Sequence, residues 1–376
     1  MGPEGEGVKS IRVKVGPDAY PVLVGCGLLR SLGKLLKEYA PAHRYAVVSD
    51  SNVATLYGDS VLQSLGDSGL DAQLFSFVSG ECHKNRSTWK DLTDRLLKMG
   101  FGRDSCIVAL GGGVTGDLAG FVAATYMRGI PVVQVPTSLL AMVDASVGGK
   151  TGVDVAMGKN LIGAFHPPLL VLADPEVIET LPRVERAQGL IEAVKHGAIM
   201  DSAYFEVLAR EMEQILDGRV SAVERAVVRS VQLKSKVVSD DEREFGRRQI
   251  LNFGHTLGHA IEAASSYDVS HGTAIGYGMV LEARIGTELG VTAKDTLERI
   301  REVVEEVGLL RRSPVEASSA DIMSYLTLDK KVRDGRTLFV LLSHIGSVYF
   351  ARDSWSHPVQ DQIVRDAVDY FVTNLR

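Results

Sequence analysis

Cysteine is scarce. Cys26, Cys82 and Cys106 are scattered through 376 residues. None forms a C-x-x-C pair, and an odd count argues against a disulfide framework. A reducing compartment fits that usage best. Long apolar runs are missing as well. No stretch approaches the ~18 uninterrupted apolar residues of a spanning helix. The best candidate, Ile130 to Val143, is broken by Pro131 and Pro136. Met1 to Ser10 is polar and glycine-rich without an apolar core, so it does not read as a signal peptide. Glu6 stands where a myristoylation pattern wants Ser or Thr. An excess of basic charge is also lacking: 47 acids against 41 bases give a net charge of −6. That excludes a polyanion binder held by bulk charge, though not a local basic pocket. The expectation is a cytoplasmic protein that uses neither nucleic acid nor membrane.

What is present is ordinary globular material. Hydrophobic residues make up 45% and charged residues 23%, enough for a sizeable core. At about 150 residues per domain, the length suggests two domains. In the first half, strand-like and helix-like segments alternate. Ile11–Val15, Tyr20–Val24, Tyr45–Ser49, Gln73–Val78 and Ser105–Leu110 read as strands. Leu28–Tyr39, a segment ending at Leu65, and Ser87–Met99 read as helices. Such alternation implies β-α-β units and a largely parallel sheet, and nearly continuous apolar strands imply cover on both faces. From about Pro182 helical periodicity dominates: Val184–Ile199, Ala203–Leu216, Val220–Val238, Ile250–Ala264, Gly272–Leu289, Ala293–Val307 and Val359–Asn374. A strand pair is expected at Thr337–Leu342 and Ser347–Phe350, near the turn signal Asp334-Gly335. The reading is therefore an α/β domain over 1–180 and a mainly α-helical domain over 181–376, with no internal repeat.

Three groups of residues carry chemistry. The first lies at strand ends. Gly111, Gly113 and Gly116 satisfy G-x-G-x-x-G between a strand and a helix, where backbone can approach a pyrophosphate at a helix N-terminus. Alone this pattern also fits a plain tight turn. It lies more than a hundred residues into the chain, and no ribose-binding acid follows about 20 residues later. Asp50 at an earlier strand end is an alternative ribose partner, and Ser79-Gly80-Glu81 with Lys84 forms another polar cluster. Successive strand ends are where open α/β sheets bind ligands.

The second group spans Pro136-Thr137-Ser138, Asp144, Ser146 to Gly152 and Gly158-Lys159-Asn160. It has little periodicity, and its glycines with Lys150 and Lys159 suit a phosphate-bearing ligand. A P-loop is excluded, because Asp144 sits where the first glycine is required.

The third group resembles a metal site. His255 and His259 stand at i and i+4 on one helix face, and His271 follows sixteen residues after His255. Glu192 lies in an otherwise apolar helical segment. Two histidines, one carboxylate and an open position form a common catalytic zinc set. A zincin is excluded, since Thr256 follows His255 where glutamate is needed. Spacing does not say which histidines are ligands.

From about residue 45 to 345 the chain resembles the 3-dehydroquinate synthases. The resemblance rests on motifs in the family's order: Ser79–Lys84, Gly111–Gly120, Pro136–Gly163, Leu190–Gly197, Gln249–Glu262 and His271–Met279. It implies Zn²⁺ or Co²⁺ on Glu192, His255 and His271, with His259 facing the substrate. It implies NAD contacts at Asp50, Asn52, Glu81, Lys84, Gly113, Val114, Thr115, Gly116, Asp117, Thr137, Ser138, Lys150, Lys159, Val177 and Thr180. Substrate-site residues would be Asp144, Lys150, Asn160, Lys195, Lys234, Arg248, Asn252, His259 and one lysine of the Asp329-Lys330-Lys331 run, taken as Lys330. Arg128 would act across a homodimer interface. Ser138 and Thr273 depart from the commoner family residues, Thr and Glu, without removing a ligand. The implied reaction turns 3-deoxy-D-arabino-heptulosonate 7-phosphate into a carbocycle and phosphate. It proceeds through transient oxidation by NAD, β-elimination, re-reduction and aldol closure, so NAD is catalytic. The rivals are another sugar-phosphate cyclase and a metal-dependent polyol dehydrogenase. Arg248, Asn252, Lys195 and His259 favour the dehydroquinate branch.

Overall fold

A computed structural model describes residues 7–310, 317–328, 332–333 and 336–375. The chain divides into two compact units. One comprises Met1–Leu181 with Arg219–Ser239, the other Pro182–Gly218 with Asp240–Arg376.

The first unit begins with the hairpin β1 (Lys9–Val15) and β2 (Asp18–Val24). Then follow α1 (Leu32–Tyr39), β3 (Arg44–Asp50), α2 (Ser51–Asp67), β4 (Ala72–Phe77), α3 (Arg86–Lys98), β5 (Ser105–Gly111), α4 (Gly113–Thr125) and β6 (Val132–Pro136). The hairpin β7 (Lys150–Val155) and β8 (Gly158–Phe165) precedes β9 (Leu170–Ala173). Seven strands form one sheet in the order β1-β2-β9-β6-β5-β3-β4, parallel except for β1 on β2. β5 is buried along its whole length, as a central parallel strand must be. Leaving β3, the chain goes outward to β4 and then returns to the other side of β3 as β5. The strand ends at Asp50 and Gly111 therefore flank a topological switch point, where doubly wound sheets take ligands.

Two features of this unit were not legible in the periodicity. Residues 136–163 form a π-helical turn, Ala141–Ala145, and the β7–β8 hairpin. Gly163 supports the hairpin's close pairing, since a Cβ there would meet the Thr151 carbonyl oxygen at 2.2 Å. Glycine and polar residues at such places erase the apolar alternation of an ordinary strand. Secondly, α7 (Val220–Asp240) clusters with this unit although it follows the change of texture at Pro182. A single cut near 180 does not describe the division. Lys234 of α7 bonds Asp144, and Lys14 N–H bonds Ser239 Oγ. Amphipathicity tells a helix to cover something, not what to cover.

The second unit is mainly helical: α5 (Arg183–Met200), α6 (Ser202–Leu216), α8 (His255–Ala264), α9 (His271–Glu288), α10 (Lys294–Glu306), α11 (Ser319–Leu328) and α12 (Asp361–Asn374). The expected helix over Ile250–Ala264 is interrupted. Arg247–Asn252 is a 3₁₀ segment, and Gly254 sits at φ 79°, so α8 starts at His255. The expected strand pair is also redistributed. Arg336–Phe339 pairs with His357–Pro358, while Leu342–His344 pairs with Ser347–Val348. Among the described residues no helix is long and apolar enough to cross a membrane.

Candidate active site

In the first unit the glycine loop joins β5 to α4. Gly111 has no room for a side chain, because a Cβ would lie 2.3 Å from Thr115 Oγ1. Thr115 is buried there and donates to Asp50 Oδ2 at 3.2 Å, linking the strand ends of β3 and β5. Asp50 Oδ1 caps α2 by accepting the N–H groups of Asn52 at 3.0 Å and Val53 at 3.1 Å. Gly113, Val114 and Gly116 occupy the first turn of α4. Thr137 N–H bonds the Gly111 carbonyl at 2.9 Å, and Ser138 Oγ accepts Ala141 N–H at 3.2 Å. Val177 and Thr180 lie in the 3₁₀ segment Pro175–Thr180 that follows β9. Tyr57 Oη bonds the Val177 carbonyl at 3.1 Å and lies 2.7 Å from Thr180 Oγ1.

Beside this loop, Lys84 is buried among three carboxylates. Its Nζ is 2.9 Å from Glu81, 3.4 Å from Asp117 and 3.7 Å from Asp154. Burial disfavours its charge, but these carboxylates outweigh that and raise its pKa. Burial pushes Asp117 up to about 6, although Lys84 pulls it down. Lys159 reaches Glu81 at 3.7 Å. Asn160, at φ 53°, gives its N–H to Asp154 Oδ1 at 2.8 Å. Lys150 opens β7. Lys234 Nζ donates to both the Asp144 carboxylate, at 2.7 Å, and the Asp144 carbonyl, at 2.6 Å. Arg128 is exposed, and its left-handed backbone (φ 71°) lies between Met127 at φ 50° and Gly129 at φ 114°.

In the second unit Glu192 is fully buried on α5 and ion-paired with Lys195. Its Oε1 lies 3.4 Å from His255 Nε2 and 3.3 Å from His271 Nε2. Ligand atoms held tetrahedrally about 2.0–2.1 Å from one ion stand about 3.3–3.4 Å apart. The trio thus has the spacing, donor types and negative charge that a divalent metal asks for. Glu262 lies behind it, with Oε2 3.8 Å from His271 Nδ1, in the manner of an outer carboxylate orienting a metal-binding imidazole. Burial opposes a charged His271, but the neighbouring Glu192 and Glu262 carboxylates outweigh it and push its pKa up to about 9. The same surroundings favour a cation.

His259 stacks edge-on against His255, their ring centroids 5.2 Å apart. Arg248 is buried and donates to the Glu242 carbonyl at 2.6 Å. The loop before it wraps Asp241, whose carboxylate accepts the N–H groups of Phe245, Gly246 and Arg248. Asn252 bonds Glu244. Lys330 lies outside the described residues.

Sequence reasoning missed Glu262, Asp154 and Glu244 as parts of these clusters. For Glu262 a signal existed: it follows His259 by three residues and His255 by seven, on one helix face. Asp154 and Glu244 lie in segments without periodicity and had none.

Residues 74–188 match the family model described as 3-dehydroquinate synthase N-terminal, and residues 189–332 match the one described as 3-dehydroquinate synthase C-terminal. The 3-dehydroquinate synthase of Symbiobacterium thermophilum is 43% identical over 343 residues, covering 91% of this chain and 96% of that protein. Among solved structures, 2-deoxy-scyllo-inosose synthase complexed with carbaglucose-6-phosphate, NAD⁺ and Co²⁺ is similar with a TM-score of 0.88 at 27% identity. The match covers 96% of this chain and 99% of that one. The 2-epi-5-epi-valiolone synthase ValA from Streptomyces hygroscopicus subsp. jinggangensis, with NAD⁺ and Zn²⁺ bound, is similar with a TM-score of 0.84 at 28% identity. There the coverage is 94% and 97%.

Proposed function

The chain belongs to the 3-dehydroquinate synthase family, and from that premise we propose how its own residues act. It is a carbon–oxygen lyase of the shikimate pathway. It converts 3-deoxy-D-arabino-heptulosonate 7-phosphate to 3-dehydroquinate and phosphate. The observation that carries the site assignment is the spacing of Glu192 Oε1 from the two imidazole nitrogens, 3.3 and 3.4 Å.

Glu192, His255 and His271 hold the metal, Zn²⁺ or Co²⁺, which supplies a Lewis acid for the substrate's oxygens. The strand-end residues from Asp50 to Thr180 named above would hold NAD, which would supply a reversible hydride acceptor. Glu262 keeps the Nδ1 proton of His271 oriented, so that Nε2 faces Glu192. Lys195, already paired with Glu192, holds its ammonium at a fixed point of the metal cluster. Arg248 offers the planar fork that suits a carboxylate or phosphate, and its buried setting strengthens the charge-assisted bond. Asp144 fixes the Lys234 ammonium through two acceptors, its carboxylate and its carbonyl. Asn160, Asn252, His259, Lys150 and Lys330 complete the substrate set.

The reading extends to a homodimer in which Arg128 serves the partner's phosphate site. Support comes from the backbone: two consecutive non-glycine residues at positive φ, Met127 and Arg128, are a costly arrangement that places an exposed arginine at a turn. The reading also takes the protein to be cytoplasmic, in keeping with its three free cysteines.

The test is to incubate purified protein with the heptulosonate phosphate, NAD⁺ and Zn²⁺ or Co²⁺. Equimolar phosphate and dehydroquinate are expected. A carbocycle formed instead from a simple hexose or heptulose phosphate would assign it to another cyclase branch.

A further inference from the structure

His255 and His271 are each the first residue of their helix, α8 and α9. This is an exposed position energetically, because the first four N–H groups of a helix lack intrahelical partners and helix ends fray. Neither helix caps itself: the N-cap residues Gly254 and Ser270 make no side-chain capping hydrogen bond. Side chains from neighbouring helices serve instead.

Glu282, fully buried on α9, accepts the N–H groups of Gly254 at 2.8 Å, Thr256 at 3.0 Å and Leu257 at 3.2 Å. These flank His255. Gln188, buried on α5 one turn before Glu192, accepts the Gly272 N–H at 2.5 Å through Oε1. Its Nε2 donates to Ser270 Oγ at 2.5 Å. These two bonds flank His271. The helices approach closely enough for this because no side chain intervenes. A Cβ on Gly278 would lie 1.8 Å from the Gly254 carbonyl oxygen, and one on Gly272 would lie 2.7 Å from Gln188 Cα. α5 thus grips the start of α9, and α9 grips the start of α8.

We propose that Gln188 and Glu282 are positioning residues for the metal. By capping α9 and α8 from outside, they fix His271 and His255 against Glu192 before metal arrives. The chemistry is that of outer-shell groups orienting ligands, exerted through the backbone. The inference rests on the metal assignment above.

The experiment is a Co²⁺ titration of metal-free full-length chain against a chromophoric chelator. It reads the dissociation constant and the visible absorption of bound cobalt. The variants are Glu282→Gln and Gln188→Met, both close in volume to the original. A control, Asp201→Ala, removes the cap that α6 receives at Tyr204 N–H in the same unit. Each of the first two variants should weaken Co²⁺ binding by about 10–100-fold and alter the cobalt spectrum at saturation. The control should lower the melting temperature and leave the constant at the wild-type value. Unchanged affinity and spectrum in both variants would overturn the proposal. A variant that loses its helical signal has a structural role instead, which overturns the assignment for that residue. Wild-type chain that binds no Co²⁺ would sink the metal reading itself, a distinguishable result.

Discussion

Glu192 on α5 places one carboxylate oxygen 3.3 Å from Nε2 of His271 on α9. That oxygen is also 3.4 Å from His255 Nε2, so a single buried atom is common to two imidazoles on different helices. Chelator should therefore abolish turnover, and Zn²⁺ or Co²⁺ should restore it. His271→Ala should lose affinity by more than the roughly 10–100-fold typical of outer-shell changes. Metal content and turnover together check this. An alanine variant that keeps its metal and most of its activity removes His271 from the ligand set.

NAD⁺ should be needed only in catalytic amount. The motivation is the switch-point crevice, where Thr115 ties the glycine loop to Asp50 at 3.2 Å. Absorbance of reduced nicotinamide followed over many turnovers should stay flat while phosphate accumulates. Reduced nicotinamide rising in step with product would point to a dehydrogenase.

Arg248→Lys should be impaired even though charge is kept, because lysine lacks the fork for two parallel bonds. The loss should be on the order of 2–3 kcal/mol of transition-state binding, tens to a hundredfold or more in kcat/KM. Arg248 is buried at 2% exposure, so its donors are not readily replaced by water. Unchanged kcat/KM would withdraw the role.

Lys84→Met should destabilise the fold in a pH-dependent way. Lys84 pulls down the pKa of Asp117, which burial otherwise raises, to a folded value of about 6. Without Lys84 that value rises further, so the folded variant binds protons more readily than the unfolded chain. Its stability relative to wild type must then fall as pH rises through that range. The loss should be on the order of 3 kcal/mol at pH 8, the low end for a broken buried pair because Glu81 is partly exposed, and smaller at pH 5. Denaturant melts at the two pH values measure it. A larger loss at pH 5 contradicts the ion-pair account.

Arg128→Ala should be nearly inactive while folded and metal-loaded. Mixed under subunit exchange with an inactive Lys195→Ala protein, it should regain activity, since one site of the hybrid has its own Lys195 and the partner's Arg128. The ceiling is one good site in two. Verified exchange without recovery would mean that the arginine acts within its own chain or not at all.

Local patterns in the sequence were enough for most elements. The apolar runs at Tyr45–Ser49 and Ser105–Leu110 became β3 and β5, and the periodic segments at Val184 and Gly272 became α5 and α9, because burial of one face is written at the period of the element itself. The i, i+4 pair His255 and His259 was legible for the same reason. Which imidazoles converge on Glu192 was not, because spacing along one helix says nothing of a second helix's distance. That was decided by tertiary packing: Gly278 lets α9 touch the backbone of Gly254, and Glu282 then holds the start of α8 by three N–H groups. The break before His255, the membership of α7 in the first unit and the ring of carboxylates about Lys84 belong to the same category. Each depends on backbone approaches between segments distant in sequence, and a pattern with a period of two or 3.6 residues carries no record of them.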